Sequence, residues 1–136
     1  MACEWIKNGE QVLGLIISGD YVPAKTEFLT PDSYKQQLGF IVYPKDSAIT
    51  PHIHYEMERT LHGTSEVLFL RQGHCQVDFY LNDKSHFCTR DLKTGDVLLL
   101  VSGGHGFRMI EDTTLLEIKQ GPYIGLQEKE RFGAPR

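Results

Sequence analysis

Apolar side chains fall along this chain in short runs, at Val12 to Ile17, Leu38 to Tyr43, Val67 to Leu70, Gln76 to Leu81, Val97 to Val101, Gly106 to Ile110 and Thr114 to Lys119. Turn-forming clusters separate them: Ser18-Gly19-Asp20, Pro44-Lys45-Asp46, Arg71-Gln72-Gly73, Asn82-Asp83-Lys84, Lys93-Thr94-Gly95-Asp96 and Glu111-Asp112. Short apolar stretches with this punctuation predict strands, and their regular recurrence predicts an all-β sandwich or barrel. A further strand is expected around Trp5. The only helical signal is Pro31 to Gln36, where Thr30 can cap and Pro31 can take the first helical position, enough for one or two turns. No repeat or linker interrupts the pattern, so residues 1–136 read as one domain, with a loose tail from Gly133 to Arg136.

Strand alternation assigns faces to the polar residues inside these runs. His52 and His54 share one side while Ile53 takes the other. Glu66 travels with Leu68 and Leu70, and His105 with Phe107 and Met109. If the leucines and Phe107 point into a core, Glu66 and His105 point there too, where a lone carboxylate is costly without a partner. Arg71 and Arg108 fall on the opposite sides and are expected to face solvent.

Composition narrows the partners. A formal charge of -4 and a charged fraction of 24% give no basis for a nucleic-acid surface. No apolar stretch reaches the length of a membrane span, and no basic leader precedes one, so a cytoplasmic protein is expected. Cys3, Cys75 and Cys88 are odd in number and lack C-x-x-C spacing, which suits reduced thiols rather than disulfides or a thiolate zinc site. His62, His74 and His86 lie in turn contexts and read as solvated surface residues.

The order of the remaining polar residues resembles the cupin superfamily, whose first motif is an H-x-H, then a Glu, six residues and a Gly. Its second motif is a Gly, five residues, Pro-x-Gly, two residues and a His. Here His52 and His54 fill the pair, and Glu66 is followed by six residues and Gly73. Gly95 is followed by five residues, then Val101, Ser102 and Gly103, and His105 arrives one position early. Val101 replaces the usual Pro, and Met109 occupies the region where an Asn often sits. Eleven residues separate His54 from Glu66, where the family usually has three or four, so a loop from Tyr55 to Thr64 is inserted. The short spacing would select Glu58, which stays open as the alternative ligand, but Glu58 lacks the strand closing on Gly that follows Glu66.

The resemblance covers about residues 38 to 120 and implies a double-stranded β-helix, or jelly-roll, barrel, with residues 1–37 as N-terminal strands and 121–136 as a C-terminal segment. It implies one divalent transition metal on His52, His54, Glu66 and His105, a small-molecule ligand or substrate inside the barrel, and a homodimer. A mixed N/O set suits Fe, Mn, Ni, Co, Cu or Zn, and with four protein ligands an octahedral ion keeps two positions open. The expected function is therefore a metal-dependent dioxygenase, isomerase or lyase on a small polar metabolite, with no membrane or nucleic-acid partner. A non-catalytic binding or sensing cupin and a metal-free sugar epimerase or isomerase, with a His base and a Tyr acid, are the alternatives. Phe107 and Met109 are expected to line the pocket, and Tyr55 the pocket or a lid formed by the inserted loop. Tyr43, Tyr55 and Tyr80 are the phenols available, and Lys119 to Tyr123 ends the last strand, as a simple strand exit or, in the alternative, as a border of the same mouth.

Overall fold

The computed structural model describes residues 2–133. They form ten strands and one short 3-10 turn: β1 (Cys3–Asn8), β2 (Gln11–Ile17), β3 (Glu27–Phe28), β4 (Gly39–Phe40), β5 (Glu66–Gln72), β6 (His74–Tyr80), β7 (His86–Lys93), β8 (Val97–Leu100), β9 (Gly104–Met109), β10 (Thr114–Lys119) and Gly125–Glu128. Every ladder is antiparallel. The protein is thus all-β, as its periodicity predicts, and no helix among the described residues is long and apolar enough to cross a membrane.

The chain divides into two compact units, Met1–Tyr21 with Thr64–Arg136, and Val22–Gly63. The larger holds a five-stranded sheet in the order β1-β2-β8-β5-β10 and a three-stranded sheet in the order β7-β6-β9. Both sheets feed one core: Ile6, Leu13, Leu68, Leu70, Leu98 and Leu100 from the first meet Cys75, Val77, Phe79 and Leu92 from the second. Register explains why Leu15, Leu99 and Val67 belong elsewhere. They align across β2, β8 and β5 and stand on the other face of the five-stranded sheet, where Leu15 and Leu99 are fully buried too. The central strands of this sheet are buried on both sides, hence their nearly continuous apolar sequences.

Two motif glycines are required by the turns that hold the sandwich. Gly73, between β5 and β6, has φ +116°, and an added Cβ would strike the Asp112 carbonyl oxygen; Gly95, between β7 and β8, has φ +95°. Both conformations strain any side-chain-bearing residue. Gly95 N donates to Leu70 O at 2.8 Å and Leu70 N to Asp96 O at 2.9 Å, so the turn also extends the β5–β8 pairing.

The smaller unit contains the two-stranded ladder β3–β4, in which Glu27 pairs with Phe40 and Phe28 with Gly39. Two expectations fail here. The strand expected over Leu38 to Tyr43 shrinks to Gly39–Phe40, and no strand forms around His52 and His54. Pro44 and Pro51 remove ladder donors on either side of the apolar residues, which is why the period-2 pattern does not become a sheet. The turns expected from Pro31 to Gln36 reduce to one reverse turn closed by Tyr34 N donating to Pro31 O at 3.0 Å. Gln37 explains the stop: its side-chain amide donates to the carbonyls of Pro31 and Tyr34, at 3.0 and 2.8 Å, in place of a continuing helix. The tail expected from Gly133 lies, beyond that residue, outside the described residues.

A candidate acid and histidine site on the inner sheet faces

Glu66 opens β5 beside Leu100 of β8 and Lys119 of β10. Because Leu68 and Leu70 share its face and lie in the core, Glu66 projects inward, as alternation predicts. His105 on β9 pairs with Phe79, and Phe107 with Val77, so these side chains also stand on the core face of their sheet. The two elements meet at the rim of the sandwich: His105 Nε2 lies 3.6 Å from Glu66 Oε2, with the side chains 33% and 18% exposed. That distance is contact without a hydrogen bond. The His105 ring also stands edge-on to Phe107, with centroids 5.9 Å apart. Met109, expected in the pocket, is 51% exposed at the far end of β9.

Glu117 and Lys119 join this rim, and neither was singled out by the sequence motifs. On β10 they alternate with Leu116 and Ile118 and stand on the same face as Glu66, with Glu117 opposite Leu68. Glu117 shares a side-chain hydrogen bond with Glu66. The signal was present in Thr114 to Lys119 as an alternation whose polar face points inward. Lys119 Nζ lies 3.9 Å from Glu128 Oε2 and 5.6 Å from the Tyr123 ring centroid, bringing the C-terminal segment to the same rim.

Burial holds the Glu66 carboxyl above its usual range, and the charge and hydrogen bond of Glu117 raise it further, against the pull of Lys119 and Lys129. His105 is pushed down, first by burial, with Glu117 acting in the opposite direction and Lys129 in the same one. Both shifts run toward the neutral form. For a carboxyl raised on folding, the associated stability is fully present below the unfolded value and is lost as pH rises through the folded one. Glu66→Gln, which mimics the protonated form, is expected to raise the melting temperature of metal-free protein at neutral pH and to leave it unchanged in acid. A lower melting temperature for the variant at neutral pH would contradict this account of the site.

In the smaller unit, His52 and His54 are exposed and stand edge to face, with ring centroids 5.2 Å apart. His52 Nδ1 lies 2.9 Å from Thr50 O. As the carbonyl only accepts, Nδ1 carries the proton and Nε2 is left as the lone-pair donor, the arrangement that outer-shell bonds give metal-ligating imidazoles. Glu58 and Tyr55 are exposed in the same irregular segment. The two halves of the expected donor set thus each have suitable chemistry: two neighbouring imidazoles, and a carboxylate beside a neutral imidazole. Among the described residues, no three His, Cys, Asp or Glu side chains are gathered into a group that would hold a metal ion.

His74 and His86 are not solvated surface residues as expected. Both are half-buried on the outer face of the three-stranded sheet, where His74 Nε2 lies 2.9 Å from Asp91 Oδ1 and His86 Nε2 lies 3.3 Å from Asp78 Oδ1. The first contact holds the Asp91 carboxyl below its ordinary value. Asp78 is buried and also accepts a hydrogen bond from the Thr89 hydroxyl. Polar pairs on both faces of β7 hide its period-2 signal, which is why this strand was absent from the apolar runs. Arg108 is exposed and donates to Gln76 on that outer face, as expected. His62 is exposed, and no disulfide joins Cys3, Cys75 and Cys88.

No protein-family model, curated protein or solved structure matches this chain.

Proposed function

We propose that this protein is a metal-dependent enzyme of the cupin type, a jelly-roll barrel acting on a small polar metabolite in a reducing, cytoplasmic setting. The observation that carries the proposal is the meeting of Glu66 and His105, from separate motifs and separate sheets, on the inner faces of one sandwich. Motif order joins His52 and His54 to them as the other two ligands. When bound, the metal supplies Lewis acidity or redox chemistry and a template for a chelating substrate. The chain supplies the rest. Glu66 and His105 would offer an oxygen and a nitrogen at a partly exposed rim, with the Glu117 carboxyl beside Glu66. Lys119 offers a cation for an anionic substituent.

A second reading, metal-free isomerisation, is favoured by the hydrogen-bonded Glu66–Glu117 pair next to a neutral His105, a set capable of general acid–base work. Tyr80 does not serve as its acid, since it stands on the outer face against His86, with ring centroids 5.6 Å apart. Cobalt(II) reconstitution separates the two. The metalloenzyme account expects weak visible absorption of a six-coordinate N/O site at about one ion per chain, altered by oxalate occupying the open positions. No bound cobalt would favour the metal-free account, and a strong tetrahedral spectrum indifferent to oxalate would contradict the open six-coordinate site.

A further inference from the structure

The last strand ends at the rim, and the chain continues across it. Lys119 pairs across the ladder with Glu66, and Gln120 stays with the same sheet, its side-chain carbonyl accepting a hydrogen bond from Ser65 N at 2.7 Å. Residues 121–132 then leave the sheet. Tyr123 holds its ring 5.6 Å from Lys119 Nζ, and at the end of the turn Gly125–Glu128 the Glu128 carboxylate comes to 3.9 Å from the same ammonium. The Glu128 side chain is only 14% exposed, so this turn lies against the protein.

Four residues further on, the chain is seated on the other sheet. Glu130 pairs with Lys84 of the turn between β6 and β7, and the Phe132 ring stands edge to face with Tyr80, centroids 5.1 Å apart. A Cβ added at Gly104 would lie 2.9 Å from Phe132 Cζ and 3.3 Å from Tyr80 Cβ. Gly104 thus leaves a notch beside Tyr80, and Phe132 fills it. This seat is one residue from His105, while the segment starts beside Glu66, so its two ends are tied next to the two side chains that meet across the sheets. The charge of Lys129, between the ties, bears on both of them. On the opposite side of the sandwich, Arg90 of β7 clasps Glu4 of β1 directly, with Nε to Oε1 at 3.0 Å and Nη2 to Oε2 at 2.9 Å. On the β9 and β10 side, the segment supplies the tie.

We propose that residues 121–132 form a strap over the Glu66–His105 rim, latched by Phe132 in the notch of Tyr80 and Gly104, and that small molecules enter and leave the rim when this latch releases. Between its ties the strap is loosely packed: Tyr123 and Ile124 are 71% and 60% exposed, and a Cβ added at Gly121 or Gly125 would meet nothing within 4 Å. A segment with few buried contacts between two anchors opens locally while the sheets stay paired. The Lys84–Glu130 pair is exposed and adds little, which leaves the aromatic seat of Phe132 as the principal anchor at that end. Glu66 and His105 stay partly exposed beneath the strap, so it slows entry without sealing the rim. The strap rests on the placement of Glu66 and His105 alone and requires neither a metal nor a particular reaction.

Carbethoxylation of imidazoles by diethyl pyrocarbonate, followed residue by residue in the metal-free full chain by peptide mass spectrometry, reads access to His105 directly. Exposed His62 calibrates the reagent, and half-buried His74, at the far end of β6 from Tyr80, reports any loosening of the whole fold. In wild type His105 is expected to react more slowly than His62. F132A, which removes the latch, and G104V, which fills its notch from the other side, are each expected to speed the reaction of His105 by about tenfold. His62 and His74 should be unchanged, and the β circular dichroism retained. His105 reacting as fast as His62 in wild type, or unchanged in both variants, overturns the strap. So does a parallel rise at His74, which makes Phe132 a support of the whole fold and not a latch. Cobalt(II) separates this result from the metal reading. Faster uptake by F132A at unchanged stoichiometry supports both, whereas protein that binds no cobalt while His105 shows the expected dependence on Phe132 retains the strap and refutes the metal.

Discussion

His52→Ala and His54→Ala are each expected to abolish stoichiometric metal in the purified, dialysed protein, and Glu66→Ala to weaken binding by more than the roughly 10–100-fold typical of losing an outer-shell partner. The reason lies in the donor count. An N/O site of four protein ligands loses a direct bond with each substitution, and the remaining imidazole and carboxylate compete poorly with water. Glu58→Ala is the internal control. Glu58 is exposed in the irregular segment, whereas Glu66 is 18% exposed and lies against His105. If Glu58→Ala empties the protein and Glu66→Ala does not, the carboxylate ligand is Glu58 and the placement of the inserted loop is wrong. Elemental analysis of the four variants side by side decides the matter.

Phe79→Ala is expected to cost about 3–5 kcal/mol, the largest loss for a single core substitution in this sandwich. Phe79 is fully buried and belongs to the cluster shared by both sheets. It also fits β2 closely, since a Cβ added at Gly14 would lie 3.0 Å from its ring and 2.7 Å from Leu99 O. Truncation therefore leaves a cavity that the flanking sheets cannot close without moving paired backbone. Against a total stability of about 5–15 kcal/mol for a domain, this is a large share. Urea unfolding reports it as a lower midpoint at unchanged slope. A loss below about 1 kcal/mol would mean that β6 does not hold the two sheets together.

The strands that build the sandwich were legible wherever one or both faces are apolar: β2, β5, β6, β8, β9 and β10 each overlap a run read from the sequence, though β5 continues through Arg71 and Gln72, read as a turn. Gly73 and Gly95 fell at turns for a reason that the motif encodes, a positive φ. β7 was hidden because His86, Thr89, Arg90, Asp91 and Lys93 spread polar groups over both its faces, with Leu92 as its one buried side chain. The opposite error occurred around His52 and His54. Alternation there was real, but Pro44 and Pro51 remove ladder donors, and among the described residues the segment pairs with no strand. At the site, the inward direction of Glu66 and His105 followed from their apolar companions. Glu117 went unnoticed because no motif names it, and it becomes visible only when β10 is seen to turn its charged side inward.

The central claim, a metal centre built on Glu66 and His105, is tested most directly by elemental analysis of wild-type protein, as purified and after reconstitution with divalent transition metals. The account predicts about one ion per chain, held through dialysis. Protein that stays empty of metal after reconstitution while fully folded would contradict it.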